Sequence, residues 1–340
     1  MIEIKPERFL ALLGFCFFAA WHLGAQTLIN GAGSTFDYPA FTKWFEIYRG
    51  VDSNVSFNYQ SIGSGAGQKL LLNQTVDFGA SDAPMSVETM STAPAPIIQL
   101  PIVAGGVAII YNLPGDPRLK LDGPTLAAIF LGEITSWNDP KIAALNPGLN
   151  LPDVSIIPIH RADGSGTSYI FTDYLSTISP EWKQTVGKGS SVHWPSGIGL
   201  AAKGSEGVAG QVKQLPGGIA YAELAYADQS KIPFASIQNT SGQYVLPSPA
   251  SVSAALATAD IPGDFRFSIV NSPGREAYPI SGASWVLVYK AARNPGSGTP
   301  LASFLKWAVT QGQTNCASLD YAPLPETVQK REIKILDTVN

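Results

Sequence analysis

Strand-like and helix-like runs alternate along most of this chain, and this alternation restricts its fold more than any other feature. The run VSFNYQS at 55–61, for example, is followed by the helix-like run GQKLLLNQ at 67–74. The helical pattern is strongest at 38–48, where aromatic residues recur at spacings of three, four and three. Such alternation is typical of α/β proteins with largely parallel sheets, and we predict that fold class here.

The first 25 residues have the pattern of a secretory signal peptide. Lys5 and Arg8 precede an apolar core at 9–20, and Ala25 offers a small residue for cleavage. The apolar core is shorter than the roughly 20 residues that a helix needs to span a bilayer. We therefore predict that residues 1–25 are removed and that the remaining chain is secreted without a membrane anchor.

The size of the remaining chain predicts two lobes. Removing 25 of 340 residues leaves 315, which exceeds the size at which one hydrophobic core usually stops growing. The apolar stretch at 97–112 is long enough to leave one sheet and enter another. We predict that the chain crosses between lobes near 100–106 and near 272–280, with a ligand cleft between the lobes. The predicted first lobe is residues 26–104 plus 274–340, and the second lobe is residues 105–273.

The composition excludes several classes of partner. Charged residues make up 14% of the chain, and the net charge is −4, whereas charged residues average about 25% in globular proteins. An acidic, charge-poor chain is unsuited to binding nucleic acid or an anionic membrane. Cys316 is the one cysteine after the signal peptide, so no internal disulfide can form. We interpret it as a small, half-buried apolar residue rather than a reactive thiol.

Three loops rich in glycine, serine and threonine each follow a strand-like run and precede a helix-like one. They are GAGSTFDY at 31–38, IGSGAGQK at 62–69 and DGSGTSYI at 163–170. Such loops expose backbone N–H groups at a helix N-terminus, where the helix dipole also favours an anion. Each loop alone is also consistent with ordinary turns and helix caps. Their number favours a shared anion site at the carboxyl ends of the strands.

The charged residues near these loops allow two interpretations. Arg161 and Asp163 could be a local ion pair of no functional importance, and Asp82 could simply start a turn before Pro84. All three, however, follow strand-like runs beside the loops described above, where a ligand of an open α/β sheet binds.

The motifs of nucleotide-binding proteins, serine hydrolases and zinc proteins do not fit. GSGAGQK is neither G-x-G-x-x-G nor a P-loop, and ADGSGTS has an aspartate where G-x-S-x-G needs its first glycine. After the signal peptide the chain has only two histidines, His160 and His193, and they lie in unrelated contexts. Neither a hydrolase triad nor a metal centre is therefore indicated.

Four of these motifs together identify a family resemblance. GAGSTF, IGSGAG, VDFGASDAP and RADGSGTS resemble, in the same order, the periplasmic phosphate-binding proteins of bacterial high-affinity phosphate ABC transporters. Further stretches such as ITSWNDPKIAALNPG and GGIAYAELAYA extend the resemblance over essentially all of the chain after the signal peptide. The resemblance implies a type II periplasmic-binding fold, with two lobes that close over a dehydrated phosphate ion. It also implies a monomeric periplasmic protein that has no cofactor and no enzymatic activity, and that delivers inorganic phosphate to an inner-membrane ABC permease complex.

The resemblance also implies which residues bind phosphate. The ligand residues carried over by motif are Thr35, Phe36, Ser64, Asp82, Arg161, Ser165, Gly166 and Thr167. Asp163 would hold Arg161 in place, and Asp82 would be the one hydrogen-bond acceptor of the site. Family loops often carry a second serine after the position of Ser64, where this chain has Gly65.

An acceptor at Asp82 would select phosphate over sulfate. Phosphate keeps at least one proton near neutral pH and can donate it to a carboxylate, whereas sulfate is fully deprotonated and would face a buried like charge. This rule does not separate phosphate from arsenate, which is also protonated. Two alternatives remain at this stage, a secreted phosphomonoesterase that uses the same pocket and a protein of the same fold that binds sulfate or molybdate.

Overall fold

The computed structural model describes residues 26–195, 197, 199–294 and 296–340. The predicted signal peptide at 1–25 lies outside the described residues. In the described part of the chain, no helix is both long enough and apolar enough to cross a membrane.

The β-strands are short except for two long central ones. Within the described residues they are β1 (Thr27–Gly33), β2 (Val55–Ser61), β3 (Phe78–Ser81), β4 (Ile97–Tyr111), β5 (Lys120–Leu121), β6 (Ile157–Arg161), β7 (Leu200–Ala202), β8 (Gly218–Glu223), β9 (Ser236–Gln238), β10 (Tyr244–Val245), β11 (Ser281–Tyr289) and β12 (Tyr321–Ala322).

The helices lie between the strands along the chain. They are α1 (Tyr38–Tyr48), α2 (Ser64–Leu72), α3 (Val87–Ser91), α4 (Gly123–Leu131), α5 (Pro140–Leu145), α6 (Gly166–Ile178), α7 (Pro180–Thr185), α8 (Gly204–Gln214), α9 (Leu224–Ser230), α10 (Pro249–Leu256), α11 (Gly298–Ala308) and α12 (Glu326–Leu336). Two short 3₁₀ turns lie at Gln311–Asn315 and Ala317–Leu319.

One continuous sheet runs through the molecule in the order β2-β1-β3-β11-β4-β8-β6-β7, with β12 paired to β4. We call the half that contains β1, β2, β3, β11 and β12 lobe 1, and the half that contains β6, β7 and β8 lobe 2. A small separate sheet has the order β10-β9-β5. The α/β class predicted from the alternation is confirmed. The sheet is mixed rather than largely parallel, because β4 and β11 run antiparallel to their neighbours.

Strand β4 belongs to both lobes. Its residues 97–106 pair with β11, and its residues 107–111 pair with β8. The apolar stretch therefore leaves one half of the sheet and enters the other within a single strand. Val107 N donates to Ile280 O at 2.8 Å, so the segment that precedes β11 lies directly beside this passage. The lobe boundaries given above remain a prediction.

The core of lobe 1 is aromatic. Phe41 and Trp44 of α1 are fully buried, and Phe41 packs on Phe78 of β3 with ring centroids 5.6 Å apart. On the same helix Phe45 stacks on Phe57 of β2 at 4.4 Å. Burying side chains of this size stabilises the fold by roughly 1.5–3 kcal/mol each. The helix predicted at 38–48 is thus confirmed, and its aromatic spacing reflects the face that packs on the sheet.

Cys316 gives a simple test of this packing. The residue is fully buried, and burial raises the pKa of its thiol to about 12. The thiolate, which is the reactive form, is therefore scarce at neutral pH. We expect that a chromogenic disulfide reagent will not label the native protein after signal removal and will label one thiol per chain after denaturation. Rapid labelling of the native protein would contradict the packing.

Candidate functional site

The loop between β1 and α1 is held by three tyrosine hydroxyls from distant parts of the chain. Each hydroxyl donates to one of three consecutive backbone carbonyls, in the pairs Tyr59 to Ser34 (2.8 Å), Tyr226 to Thr35 (2.6 Å) and Tyr321 to Phe36 (2.5 Å). In a trans peptide the N–H group points opposite to the carbonyl. The tyrosines therefore fix the direction of the loop N–H groups, two of which, Phe36 N and Asp37 N, donate to Ser34 Oγ at 2.9 and 3.4 Å.

Ser64 lies at the start of α2 and joins the two lobes. Its Oγ accepts from Asp82 N at 3.2 Å and, across the cleft, from Gly166 N at 3.1 Å. The neighbouring Gly65 N donates to Gly164 O at 2.9 Å, and a Cβ atom at Gly65 would lie 3.3 Å from the Gly164 Cα atom. This close approach gives a physical reason for glycine where family loops often carry a second serine.

The loop before α6 forms the N-terminus of a 13-residue helix. Ser165 is its N-cap, and its Oγ accepts from Ser168 N at 3.1 Å. Thr167 Oγ1 is buried and has no hydrogen-bond partner among the described residues. A buried hydroxyl without a partner is costly, so this helix start carries a polar group that a ligand would satisfy.

Arg161 and Asp163 form a bidentate ion pair. The Arg161 Nε and Nη2 atoms donate to the two Asp163 carboxylate oxygens at 2.8 and 2.5 Å. Burial alone would raise the pKa of Asp163, but the hydrogen bond and the charge of Arg161 outweigh it and lower that pKa. Asp163 Oδ1 also accepts from Gly204 N at 3.0 Å. The guanidinium is thus fixed on one side, and among the described residues its Nη1 atom donates only to Ser205 Oγ, at 3.5 Å.

Asp82 follows β3 and is buried, with three serine hydroxyls near its carboxyl group. Its Oδ1 atom accepts from Ser34 Oγ at 2.5 Å and from Ser284 Oγ at 2.7 Å. Its Oδ2 atom is 3.4 Å from Ser64 Oγ, so it is the less satisfied oxygen. Burial raises the pKa of Asp82 to about 6, although the serine hydrogen bonds and the charge of Arg161 oppose the shift. The carboxyl group is therefore mainly ionised at pH 7 and can act as an acceptor.

The structure brings all the predicted site residues to one place at the lobe junction. The predicted residues Thr35, Phe36, Ser64, Asp82, Arg161, Ser165, Gly166 and Thr167 are all buried. The lobes touch there, since Thr35 Oγ1 of lobe 1 is 2.7 Å from Ser205 Oγ of lobe 2. Arg161 and Asp163 form an ion pair there. Which of these groups bind a ligand remains a prediction.

Several residues of this junction were not predicted from the sequence. Ser205 lies in KGSEG, which follows β7 and opens α8, so it repeats the pattern of the three loops and could have been found. Asp37 lies inside the first loop, but an acid beside a helix start is usually a cap, and here its side chain makes no capping bond. Ser284 is an ordinary position of a buried strand, and no sequence signal marks it.

Neither histidine after the signal peptide is placed for acid–base chemistry at this junction. His160 stacks on Trp194 with ring centroids 4.7 Å apart, and its Nδ1 is 3.2 Å from a backbone carbonyl. His193 is exposed. In the described part of the chain, no group of three or more histidine, cysteine, aspartate or glutamate side chains could hold a metal ion.

Comparisons with known proteins agree with this architecture. The profile of the PBP superfamily domain matches residues 22–311. The phosphate-binding protein PstS of Pasteurella multocida (strain Pm70) is 46% identical over 308 residues, which are 89% of this chain and 88% of that protein. PstS of Haemophilus influenzae is 45% identical over 304 residues, which are 88% and 90% of the two chains.

Solved structures share the fold at lower identity. A high-affinity periplasmic phosphate-binding protein, PfluDING, solved with bound phosphate, has a TM-score of 0.73 at 23% identity and covers 89% of this chain and 92% of its own. A phosphate-binding protein from Stenotrophomonas maltophilia has a TM-score of 0.72 at 21% identity and covers 91% and 93% of the two chains. Their fold is the two-lobed type II periplasmic-binding fold predicted from the sequence. The chain therefore belongs to the PBP superfamily and, within it, to the family of the PstS phosphate-binding proteins.

Proposed function

We propose that this protein captures inorganic phosphate between its two lobes and delivers it to an ABC-type permease in the inner membrane. The observation that carries the proposal is the buried Asp82 carboxylate, which lies among hydroxyl and N–H donors at the junction of the lobes. The membership of the chain in the PstS family supports the same ligand. Inorganic phosphate is the ligand, and the protein needs no cofactor.

The proposed site separates phosphate from sulfate by hydrogen-bond polarity. Donors from three helix starts, together with the Arg161 guanidinium, favour any tetrahedral oxyanion. The ionised Asp82 accepts a bond from the P–OH group of phosphate, whereas a sulfate oxygen in the same place would face it with no proton between them. Repulsion of this kind between buried like charges costs several kcal/mol.

The proposed contacts are sufficient for tight binding. A micromolar complex corresponds to about 8 kcal/mol, and a hydrogen bond to a charged group contributes roughly 1.5–3 kcal/mol net of water. Several donors at the loop around Thr35, at Ser64 and at the start of α6 therefore supply this free energy and also offset the cost of ordering the lobes.

We propose that the lobes, residues 26–104 plus 274–340 and residues 105–273, open and close about β4 and the segment before β11. In hinge closure around a ligand, a few residues absorb the change in backbone angles while the two lobes move as units. Among the contacts between the lobes, the one from Gly65 N to Gly164 O lies at the proposed ligand site. A ligand that forms hydrogen bonds with both lobes would stabilise the closed form.

The proposal also covers the signal peptide, the location of the protein and its lack of catalytic activity. Residues 1–25 direct the protein to the periplasm and are removed, and the protein acts there as a monomer without catalytic activity. A phosphomonoesterase would need a base beside a nucleophile. His160, which stacks on Trp194, does not meet that need.

The proposal is tested by calorimetry on the protein after signal removal, with phosphate, sulfate and an aryl phosphate at pH 7. We expect phosphate to bind with a Kd in the micromolar range or below and sulfate to bind at least about a hundredfold more weakly. Comparable affinity for both ions would contradict the proposed role of Asp82. Hydrolysis of the aryl phosphate, if lost in Ser64→Ala or Ser165→Ala, would instead establish the enzyme.

A further inference from the structure

Two buried carboxyl groups contact the same hydroxyl in lobe 1. Ser284 Oγ lies 2.7 Å from Asp37 Oδ2 and 2.7 Å from Asp82 Oδ1. Both aspartates and Ser284 are almost completely buried. The three side chains come from the start of α1, the end of β3 and the middle of β11, so they form a fixed bridge rather than a local turn.

This bridge requires a proton on one of the two carboxyl groups. A serine hydroxyl has one hydrogen, so Ser284 can donate to only one of the two aspartates. If both aspartates were ionised, the second one would place its lone pairs against those of the hydroxyl at hydrogen-bond distance, in a buried site. A proton on one carboxyl group removes this repulsion, because that group donates to the Ser284 oxygen while the Ser284 hydroxyl donates to the other, ionised aspartate.

The surroundings decide which aspartate carries the proton. Asp82 accepts a second short bond, from Ser34 Oγ at 2.5 Å, and the charge of Arg161 favours its ionised form. Asp37 has no such support, since its Oδ1 atom is buried without a partner among the described residues.

The groups that face Asp37 point to the same assignment. The titratable groups that act on it or feel its charge are Asp82 at the end of β3, Glu223 of β8, Tyr59 of β2 and Tyr321 of β12. No cation stands among these groups. Burial, followed by the charge of Asp82, raises the pKa of Asp37 well above its ordinary value.

We propose that Asp37 is protonated and donates to Ser284, that Ser284 donates in turn to Asp82, and that Asp37 is thereby a positioning residue of the phosphate site. The neutral Asp37 keeps Ser284 as a donor to Asp82 Oδ1 and leaves Asp82 Oδ2 as the acceptor for the ligand. It also avoids a second negative charge beside the bound anion. The inference rests on the proposed function for its effect on phosphate, but the protonation of Asp37 does not depend on any ligand.

The proposal sets the direction of a pH effect. Asp37 is protonated below its raised pKa and ionises as the pH rises through that value, which breaks the bridge and adds a charge that repels phosphate. Phosphate affinity of the wild type should therefore fall with rising pH relative to Asp37→Asn, whose side chain cannot ionise.

The first test is infrared spectroscopy at pH 7 without phosphate, with aspartate-specific ¹³C labelling. The wild-type minus Asp37→Asn difference spectrum should contain the C=O stretch of a protonated aspartic acid, and the same band should persist in Asp82→Asn, which excludes Asp82 as its source. The buried Glu223 and Glu332, whose pKa values are also raised, carry no label and cancel in the difference. A difference spectrum with carboxylate bands and no protonated band would overturn the proposal.

The second test is the affinity for phosphate of two substitutions at the same position. Asp37→Ala removes the donor and should weaken binding about tenfold, and Asp37→Asn, which supplies a neutral N–H donor, should restore affinity to within about threefold of the wild type. As a control, Glu88→Gln removes a charge from an exposed site in lobe 1 and should leave the affinity for phosphate unchanged. The positioning role would be overturned if Asp37→Ala bound phosphate as tightly as the wild type or if Asp37→Asn bound it as weakly as Asp37→Ala. It would also be overturned if Asp37→Asn bound phosphate about tenfold more tightly than the wild type.

The two proposals fail in different ways. If the wild type does not bind phosphate, the proposed function fails, and the infrared spectrum still decides whether Asp37 is protonated. If the wild type binds phosphate but the labelled spectrum shows Asp37 ionised, the function stands and the inference fails.

Discussion

Asp82→Asn is expected to bind sulfate about a hundredfold or more tightly than the wild type, while its affinity for phosphate falls only about tenfold. The carboxylate repels an anion that has no proton, and the amide removes that repulsion because it can donate a hydrogen bond. Phosphate loses one acceptor but keeps its donors from the other loops. Calorimetric titration with both ions at pH 7 measures the change in selectivity directly.

A matched control lies at the other end of the same strand. Asp77 immediately precedes β3 and, like Asp82, accepts from a serine hydroxyl (Ser297 Oγ, 2.8 Å), and it also accepts from Asn30 N at 2.8 Å. Asp77→Asn should therefore cost stability without changing the ratio of the two affinities. If Asp82→Asn also leaves that ratio unchanged, Asp82 does not select the ligand.

Acidification should raise the affinity for sulfate, as the Asp82→Asn substitution does. Because burial raises the pKa of Asp82 to about 6, the protonated form becomes dominant only as the pH falls below that value. A protonated Asp82 can donate to sulfate, so sulfate affinity of the wild type should rise as the pH falls through 6. The Asp82→Asn protein should show no such rise.

Arg161→Met is expected to weaken phosphate binding about a hundredfold to a thousandfold. Arg161 is the one cation in the proposed ligand set, and removal of one partner of a buried, hydrogen-bonded charge pair costs about 2–5 kcal/mol. The substitution also leaves the Asp163 carboxylate without its partner and adds an uncompensated negative charge near the bound anion. Calorimetry gives the affinity, and thermal unfolding shows whether the variant is folded.

Arg266 provides the control for this substitution. It also pairs with an aspartate two residues away, Asp264, at 2.7 Å, and that pair is considerably more exposed. Arg266→Met should therefore keep phosphate affinity. A loss of less than about tenfold in Arg161→Met would contradict the proposed contact between this guanidinium and the ligand.

The sequence predicts the fold well where structure is set by local pattern. The aromatic spacing of α1 and the length of the apolar stretch that becomes β4 both have direct physical causes in packing. The antiparallel course of β11 is different, because this strand comes from late in the chain and inserts between β3 and β4. No local pattern specifies which strand a late segment will join.

In the candidate site, too, some residues could be predicted from local sequence and others could not. Ser64 and Ser165 stand in loops whose composition already indicates helix starts, and Arg161 and Asp163 are close enough in sequence to be predicted as a pair. Ser284 becomes visible only in three dimensions, because it meets Asp37 across 247 positions of sequence. The tyrosines that hold the first loop are also remote from it, so neither spacing nor composition marks them.

The most direct test of the central claim is a crystal structure of the protein with phosphate after signal removal. We predict phosphate at the lobe junction, with one of its oxygens within hydrogen-bond distance of Asp82 Oδ2 and another within hydrogen-bond distance of Arg161 Nη1. Phosphate bound elsewhere, or bound at the junction without contact to Asp82, would contradict it.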